Sequence, residues 1–302
     1  MHARPRAKVN LTLRVGERGR DGYHPLESVF LRIGLADELT VAFGNGLGTD
    51  VLTVSGLPGA DVSENIILRA FDTTRRVLGL ELPPLVAHLD KRIPIAGGLG
   101  GGSADGAAAV DCALQMWGAA LSPALLTDVA VELGADVPFF AANAAAALVR
   151  GRGEQIEVLR EPSNDIGLLL VTPALALSTA AVFARFDQLP SPTEHTRVIS
   201  DHATVLADLV GSASDLRDAN DLWPAAITLA PELATLRDEL ERQTQRPWLM
   251  SGSGSTLFAI YSSADESVAS ARSLVASESE ALGGALFNAV DLVGPDPHWR
   301  YP

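Results

Sequence analysis

From Ala7 to Val15 the chain alternates, with Val9, Leu11, Leu13 and Val15 apolar and Lys8, Asn10, Thr12 and Arg14 polar. A period of two predicts a strand, and its polar face carries Lys8 beside Asn10. Arg18–Pro25 has the composition of a turn cluster, with strands expected near Val29–Ile33 and Glu38–Phe43. A helix is predicted from about Asn65 to Leu78, opened by Ser63 as candidate cap, and Leu85–Leu89 alternates like another strand. Ala107, Val110, Leu114 and Trp117 then recur at helical spacing, while Ser122 and Pro123 open a further helix that Gly134 closes. Later segments predict a buried strand at Ile166–Val171 and helices at Val198–Leu209, Pro231–Gln243 and Glu266–Ser277. Trp248–Tyr261 reads as strand, turn, strand, and Ala285–Val290 as a final strand. The alternation has no fixed repeat of roughly 20–50 residues, which excludes a solenoid. A polar stretch, Glu161-Pro-Ser-Asn-Asp165, suggests a boundary between domains at 1–160 and 161–302.

Between the strand at Leu85–Leu89 and the alanine-rich helix lies Pro94-Ile-Ala-Gly-Gly-Leu-Gly-Gly-Gly-Ser-Ala-Asp105. Glycines let the main chain approach a ligand closely, so successive N–H groups can turn toward one anion. A helix starting at Ser103 adds its unpaired N–H groups and positive dipole end. Neither common phosphate motif matches. No Lys follows as in a Walker loop, and the dinucleotide spacing places Ser103 where the third glycine belongs. The ordered flanks argue for a binding site over a flexible tether.

Composition suits a large globular enzyme, with 47% hydrophobic and 20% charged residues in 302. The absence of a long apolar run or signal core leads us to expect a cytoplasmic protein without membrane contact. A single cysteine, Cys112, excludes an intramolecular disulfide and is expected to be a buried thiol. The net charge of −14 argues against nucleic acid as a partner. An anionic ligand must then be held by local amides, a helix dipole or a metal ion. Lys8 and Lys91 are the only lysines, and the remaining 21 of 23 basic residues are arginine. At Lys8 a compact ammonium is expected to serve the site, whereas Lys91 reads as a solvated strand end.

Asp136 follows the helix stop at Gly134 and precedes Pro138, Phe139 and Phe140. Such an acid on a stiff, partly apolar turn is either a general base or a cap of the next turn. Ser251-Gly-Ser-Gly-Ser-Thr256 is either a plain hairpin turn or a second loop closing over a phosphate.

The strand with Lys8 and Asn10, the loop Pro94–Asp105 and the cluster Ser251–Thr256 together resemble the three motifs of the GHMP kinase superfamily. Asp21-Gly-Tyr-His24 and Gly134-Ala-Asp-Val-Pro138 are similar to the branch whose acceptor is a cytidine diphosphate sugar alcohol of non-mevalonate isoprenoid biosynthesis. The resemblance runs nearly end to end and implies an α+β fold in two domains. The N-terminal one would resemble ribosomal protein S5 and the C-terminal one a ferredoxin, with the active site in the cleft between them. It further implies a kinase using ATP and Mg²⁺ on small-molecule substrates, as monomer or homodimer.

Carried over by position, Asp136 would be the base, Lys8 its electrostatic partner, and Asn10 would line the acceptor hydroxyl. Pro94, Ile95, Ala96, Gly97, Gly98, Leu99, Gly100, Gly101, Gly102, Ser103 and Ala104 would form the ATP phosphate loop, with Asn65 against adenine. Tyr23, His24 and Phe183 would make the cytidine pocket, although Phe183 also suits a core position. Ala104 and Gly106 depart from the superfamily pattern, leaving the metal ligands open, and Ala141–Ala144 lacks glycines common there. Gly106 in the first helical turn is expected to cost up to about 1 kcal/mol relative to Ala. Two other readings fit the same fold. One is a small-alcohol kinase of the homoserine or mevalonate type, for which no Asp-Gly-Tyr-His turn is expected. The other is a non-catalytic nucleotide-binding regulator, which should lack the base.

Overall fold

The computed structural model describes residues 1–44, 46, 48–57, 65–162, 165–190, 202–277 and 279–295. Three sheets organise them. The first contains β1 (His2–Ala3), β5 (Glu38–Phe43), β6 (Val51–Gly56) and β7 (Leu85–Lys91) in the order β1-β5-β7-β6. Only β6 and β7 run parallel there, and the connection between them passes through helix α1 (Ile66–Leu78). The second sheet, in the order β2-β4-β8-β9, is antiparallel throughout and contains β2 (Arg6–Asn10), β4 (Leu26–Ala36), β8 (Ala146–Gly151) and β9 (Gln155–Val158). A short strand, β3 (Arg14–Val15), pairs with β4 beyond β2. The third sheet is antiparallel, in the order β11-β12-β10-β13, from β10 (Gly167–Thr172), β11 (Leu249–Met250), β12 (Leu257–Tyr261) and β13 (Leu286–Asp291).

Helices α2 (Gly101–Trp117), α3 (Pro123–Leu133) and α4 (Val137–Ala141) pack with α1 on the first sheet around one core. Local chemistry places their ends. Asn65 caps α1, accepting from the Ile67 N–H at 3.0 Å, and Gly79 ends it in the left-handed region. Ser63 lies outside the described residues. Ser122 caps α3, Pro123 occupies its first turn, and Gly134 follows its end as expected. Helix α2 is buried from Ala104 to Leu114, Cys112 included, because alanines and Gly106 let its neighbours approach. A Cβ on Gly106 would fall 2.8 Å from the Ile66 side chain, so the glycine is a packing requirement that its poor helix propensity alone does not reveal.

Beyond β10 come α5 (Thr179–Phe186), α6 (His202–Ala207), α7 (Leu209–Leu216), α8 (Trp223–Leu229), α9 (Glu232–Thr244) and α10 (Ala264–Ala276). The helix expected at Val198–Leu209 begins outside the described residues, and its remainder is α6 with the first residue of α7. The expected strand Ala7–Val15 breaks after Asn10, where the backbone turns to bond with the third sheet's side of the molecule. Leu13 N donates to Ala219 O, and Asp221 N donates to Leu13 O. An apolar cluster spans the two sides, with Val9, Leu31 and Leu148 from the second sheet against Leu170, Phe258 and Ile260 from the third. Among the described residues, no helix is long and apolar enough to cross a membrane.

Candidate active site

The glycine run leaves β7 and enters α2 two residues earlier than expected, at Gly101. Gly100 is its cap in the left-handed region (φ 68°), and the Ala104 N–H bonds to the Gly100 carbonyl. Ala96 and Gly98 are also left-handed, at φ 57° and 76°. Alternating backbone handedness of this kind turns successive N–H groups into one concavity. At Gly98 nothing larger fits, because a Cβ would lie 2.1 Å from the Ser251 carbonyl oxygen. The Ser251–Thr256 turn therefore rests directly on the first loop. Ser251 Oγ donates to Gly98 O at 2.9 Å, and Thr256 N donates to Gly97 O at 3.3 Å.

Beneath this junction sits Lys8. Its backbone N–H donates to Leu99 O, and its ammonium reaches Asn10 Oδ1 at 2.6 Å, Gly98 O at 3.1 Å and Asp136 Oδ2 at 3.3 Å. It is 3% exposed, with the Phe30 ring 4.6 Å away. Asn10 is engaged at both ends, since its Nδ2 donates to Ser28 Oγ at 2.8 Å. Asp136 occupies the position before α4 yet makes no side-chain cap bond. The sequence left it between base and cap, and the cap bond is not made. Buried Phe139 and Phe140 hold that short helix in place, leaving the carboxylate 30% exposed toward the cavity.

The cavity measures about 1430 Å³, above the roughly 300–1,000 Å³ of a pocket for one drug-sized ligand. Residues 94–103, Asn65, Tyr23, His24 and Phe183 all line it, whereas Ala104 points into the core at 2% exposure. Tyr23 is 55% exposed, with the Arg152 guanidinium 3.6 Å from its ring centre. The His24 ring lies between Phe183 and Phe186, with Nδ1 2.8 Å from Gly16 O. The turn carrying Arg152 is seated against the helix-to-helix loop of Asp136, for a Cβ on Gly153 would meet Ala135 O at 1.9 Å.

Lys91 corrects the expectation of a solvated lysine. It is 5% exposed, bonded to Asp37 at 2.5 Å and to Asp105 at 2.8 Å, just below the glycine loop. The signal was present, because Leu85, Ala87, Leu89 and Lys91 share the buried side of β7. Asp37 also accepts from the Arg92 and Ile93 N–H groups, so it is the better hydrogen-bonded of the two acids. Asp105 keeps one oxygen unpartnered. Burial, aided by Asp37 and opposed by Lys91, pushes its carboxyl from 3.8 up to about 8. Burial alone would lower Lys91, but attraction to Asp105 and Asp37 outweighs it and the ammonium is raised.

A consequence follows for stability. A carboxyl raised on folding binds its proton more tightly in the native state, so its contribution is complete below 3.8 and is lost as pH rises through about 8. Asp105→Asn should flatten the fall in stability between those limits, as read from denaturant midpoints across pH. Lys91→Met leaves two buried acids without a cation and should cost about 3–5 kcal/mol. A pH slope in Asp105→Asn equal to that of the parent would remove Asp105 as its source.

Among the described residues, no group of three or more His, Cys, Asp or Glu is placed to hold a metal ion. The site instead offers amides for an anion, an acid beside an ammonium, and an aromatic-walled recess. Residues 65–148 match the GHMP kinases N terminal domain, and residues 204–276 the GHMP kinases C terminal domain. A relative from Pelotomaculum thermopropionicum called 4-diphosphocytidyl-2-C-methyl-D-erythritol kinase is 38% identical over 257 residues, covering 84% of this chain and 87% of the relative. A Streptomyces coelicolor protein of that name is 38% identical over 256 residues, covering 83% and 84%. The crystal structure of a 4-(cytidine 5'-diphospho)-2C-methyl-D-erythritol kinase superposes with a TM-score of 0.73 at 30% identity, covering 96% of this chain and 99% of that one. Both halves of the fold, the loop junction and the likeness over most of the length converge, and the chain belongs to the 4-diphosphocytidyl-2-C-methyl-D-erythritol kinase family of GHMP kinases.

Proposed function

We propose that this enzyme transfers the γ-phosphoryl group of ATP to the 2-hydroxyl of 4-diphosphocytidyl-2-C-methyl-D-erythritol. The observation that carries the residue assignment is the Lys8–Asp136 pair, 3.3 Å apart, in a cavity lined by both the glycine loop and the aromatic turn. Asp136 takes the acceptor hydroxyl proton as the new O–P bond forms and the bond to the β-phosphate oxygen breaks, releasing ADP. Lys8 places a fixed positive charge beside that transfer, and Asn10 acts chiefly by holding the ammonium through Oδ1. The amides of residues 97–103 cradle the triphosphate at the start of α2, and Asn65 faces the adenine.

Mg²⁺ suits the site, because it keeps several waters and is commonly held by substrate phosphates with one or two carboxylates, without a full protein cage. It would be held here chiefly on the nucleotide's own oxygens, where it neutralises phosphate charge. Transfer of phosphate needs positioning and neutralisation above all.

Tyr23 and Phe183 clasp the cytosine ring in this reading. Both ring nitrogens of His24 face protein atoms, so His24 contributes by fixing the turn more than by its ring edge. Stacking is worth about 1–3 kcal/mol per base, and Tyr23→Ala should raise the acceptor KM roughly ten- to a hundredfold with the ATP KM unchanged. ADP release measured with the cytidine substrate, its uridine analogue, homoserine and mevalonate tests the whole assignment. Activity confined to the cytidine compound is expected. Equal use of the uridine analogue, or preference for a small alcohol, would overturn it.

A further inference from the structure

The two proposed walls of the acceptor recess come from distant parts of the chain. Tyr23 sits on the turn between β3 and β4, whereas Phe183 sits on α5, after β10. One residue that the sequence did not single out joins them. Asp187, directly after α5, places Oδ1 2.8 Å from His24 Nε2 and Oδ2 3.3 Å from Arg18 Nη1. Phe183, Phe186 and Asp187, spaced three and four apart, all meet the His24 ring from one face of that helix end. Arg18 and His24 are each in turn tied to the turn's own backbone, Arg18 Nε donating to Gly22 O at 2.9 Å and His24 Nδ1 to Gly16 O at 2.8 Å. The carbonyl can only accept, so Nδ1 carries a proton, and Nε2 pairs with Asp187 when the ring is doubly protonated.

We infer that Asp187 is a positioning residue of the acceptor subsite, clasping the Arg18–His24 turn to α5 so that Tyr23 and Phe183 stay at stacking distance for a base. An exposed ion pair contributes little by itself. This one differs in that the His24 side chain is only 8% exposed and packed between two phenylalanines, and both carboxylate oxygens are used. No group in the clasp touches the phosphate loop. Losing it should therefore loosen acceptor binding while sparing ATP.

The inference rests on the cytidine reading of the recess, and its test separates the two. In Asp187→Ala, hydrogen exchange at the Gly16, Gly19 and Gly22 amides of the ligand-free protein should quicken, because the turn opens more often once the clasp is gone. Calorimetry with cytidine diphosphate should show affinity reduced about tenfold, as loss of charge-assisted contacts gives, with the ATP KM and kcat at saturating acceptor unchanged. Asp187→Glu should recover part of that affinity. Unchanged exchange in the turn would overturn the clasp outright, and so would parallel loss of ATP affinity and kcat, which indicates a general structural defect. Faster exchange with undiminished cytidine diphosphate binding would overturn the positioning role. Failure of the parent enzyme itself to bind cytidine diphosphate would bring down the cytidine reading, and the positioning role with it.

Discussion

Asp136→Asn is expected to lower turnover by roughly 10²–10⁴-fold, the usual contribution of a general base, with ATP affinity close to that of the parent. The substitution keeps shape and hydrogen-bonding capacity while removing the proton acceptor. Helix α4 should hold, because Asp136 makes no cap bond to it, while buried Lys8 loses its carboxylate partner and overall stability falls. Lys8→Ala should impair the same step. Lys8→Arg should not rescue it, since the ammonium occupies a slot where a Gly100 Cβ would already come within 3.0 Å of Lys8 Cε. A planar guanidinium cannot enter so narrow a space with the same contacts. Single-turnover phosphoryl transfer, with ATP affinity measured separately, decides the matter. Asp136→Asn turning over within a factor of a few of the parent would reject Asp136 as the base.

Gly98→Ala should weaken ATP binding about 10- to 100-fold. Left-handed backbone costs a residue with a Cβ roughly 1–2 kcal/mol, and here the methyl group also meets the Ser251 carbonyl oxygen at 2.1 Å. Relief requires the hairpin Leu249–Tyr261 and the glycine loop to move apart. That motion would break the bonds from Ser251 Oγ to Gly98 O and from Thr256 N to Gly97 O. The acceptor KM should change less, because the turn carrying Tyr23 and His24 is held by Asp187 and by its own backbone. Calorimetry with ATP and with cytidine diphosphate on the folded variant compares the two directly. Equal weakening of both ligands would mean that the loop does not serve the triphosphate alone.

Much of the site was legible in the residues because its chemistry is local. The glycine run signals backbone freedom, and Ser122, Pro123 and Gly134 mark a helix through groups that act within one turn. The alternation at Ala7–Val15 correctly placed Lys8 and Asn10 on one face, and the structure bonds them at 2.6 Å. Lys91 was misread because solvent exposure was judged from charge, although its phase with Leu85, Ala87 and Leu89 pointed inward. Its partners, Asp37 and Asp105, come from other elements that no periodicity links to β7.

Short-range patterns of glycines, caps and apolar spacing carried the alternating order of strands and helices, the position of the glycine loop and the family likeness. Which charges meet was settled by packing. It set Asp136 on Lys8 in place of the cap of α4, buried Asp105 so that its carboxyl is raised, and brought Asp187 onto His24 across the recess. It also revealed Gly106 as the contact point for Ile66. The physical reason is that backbone preference acts over a few residues, whereas desolvation and Coulomb attraction depend on which faces the packed core presses together.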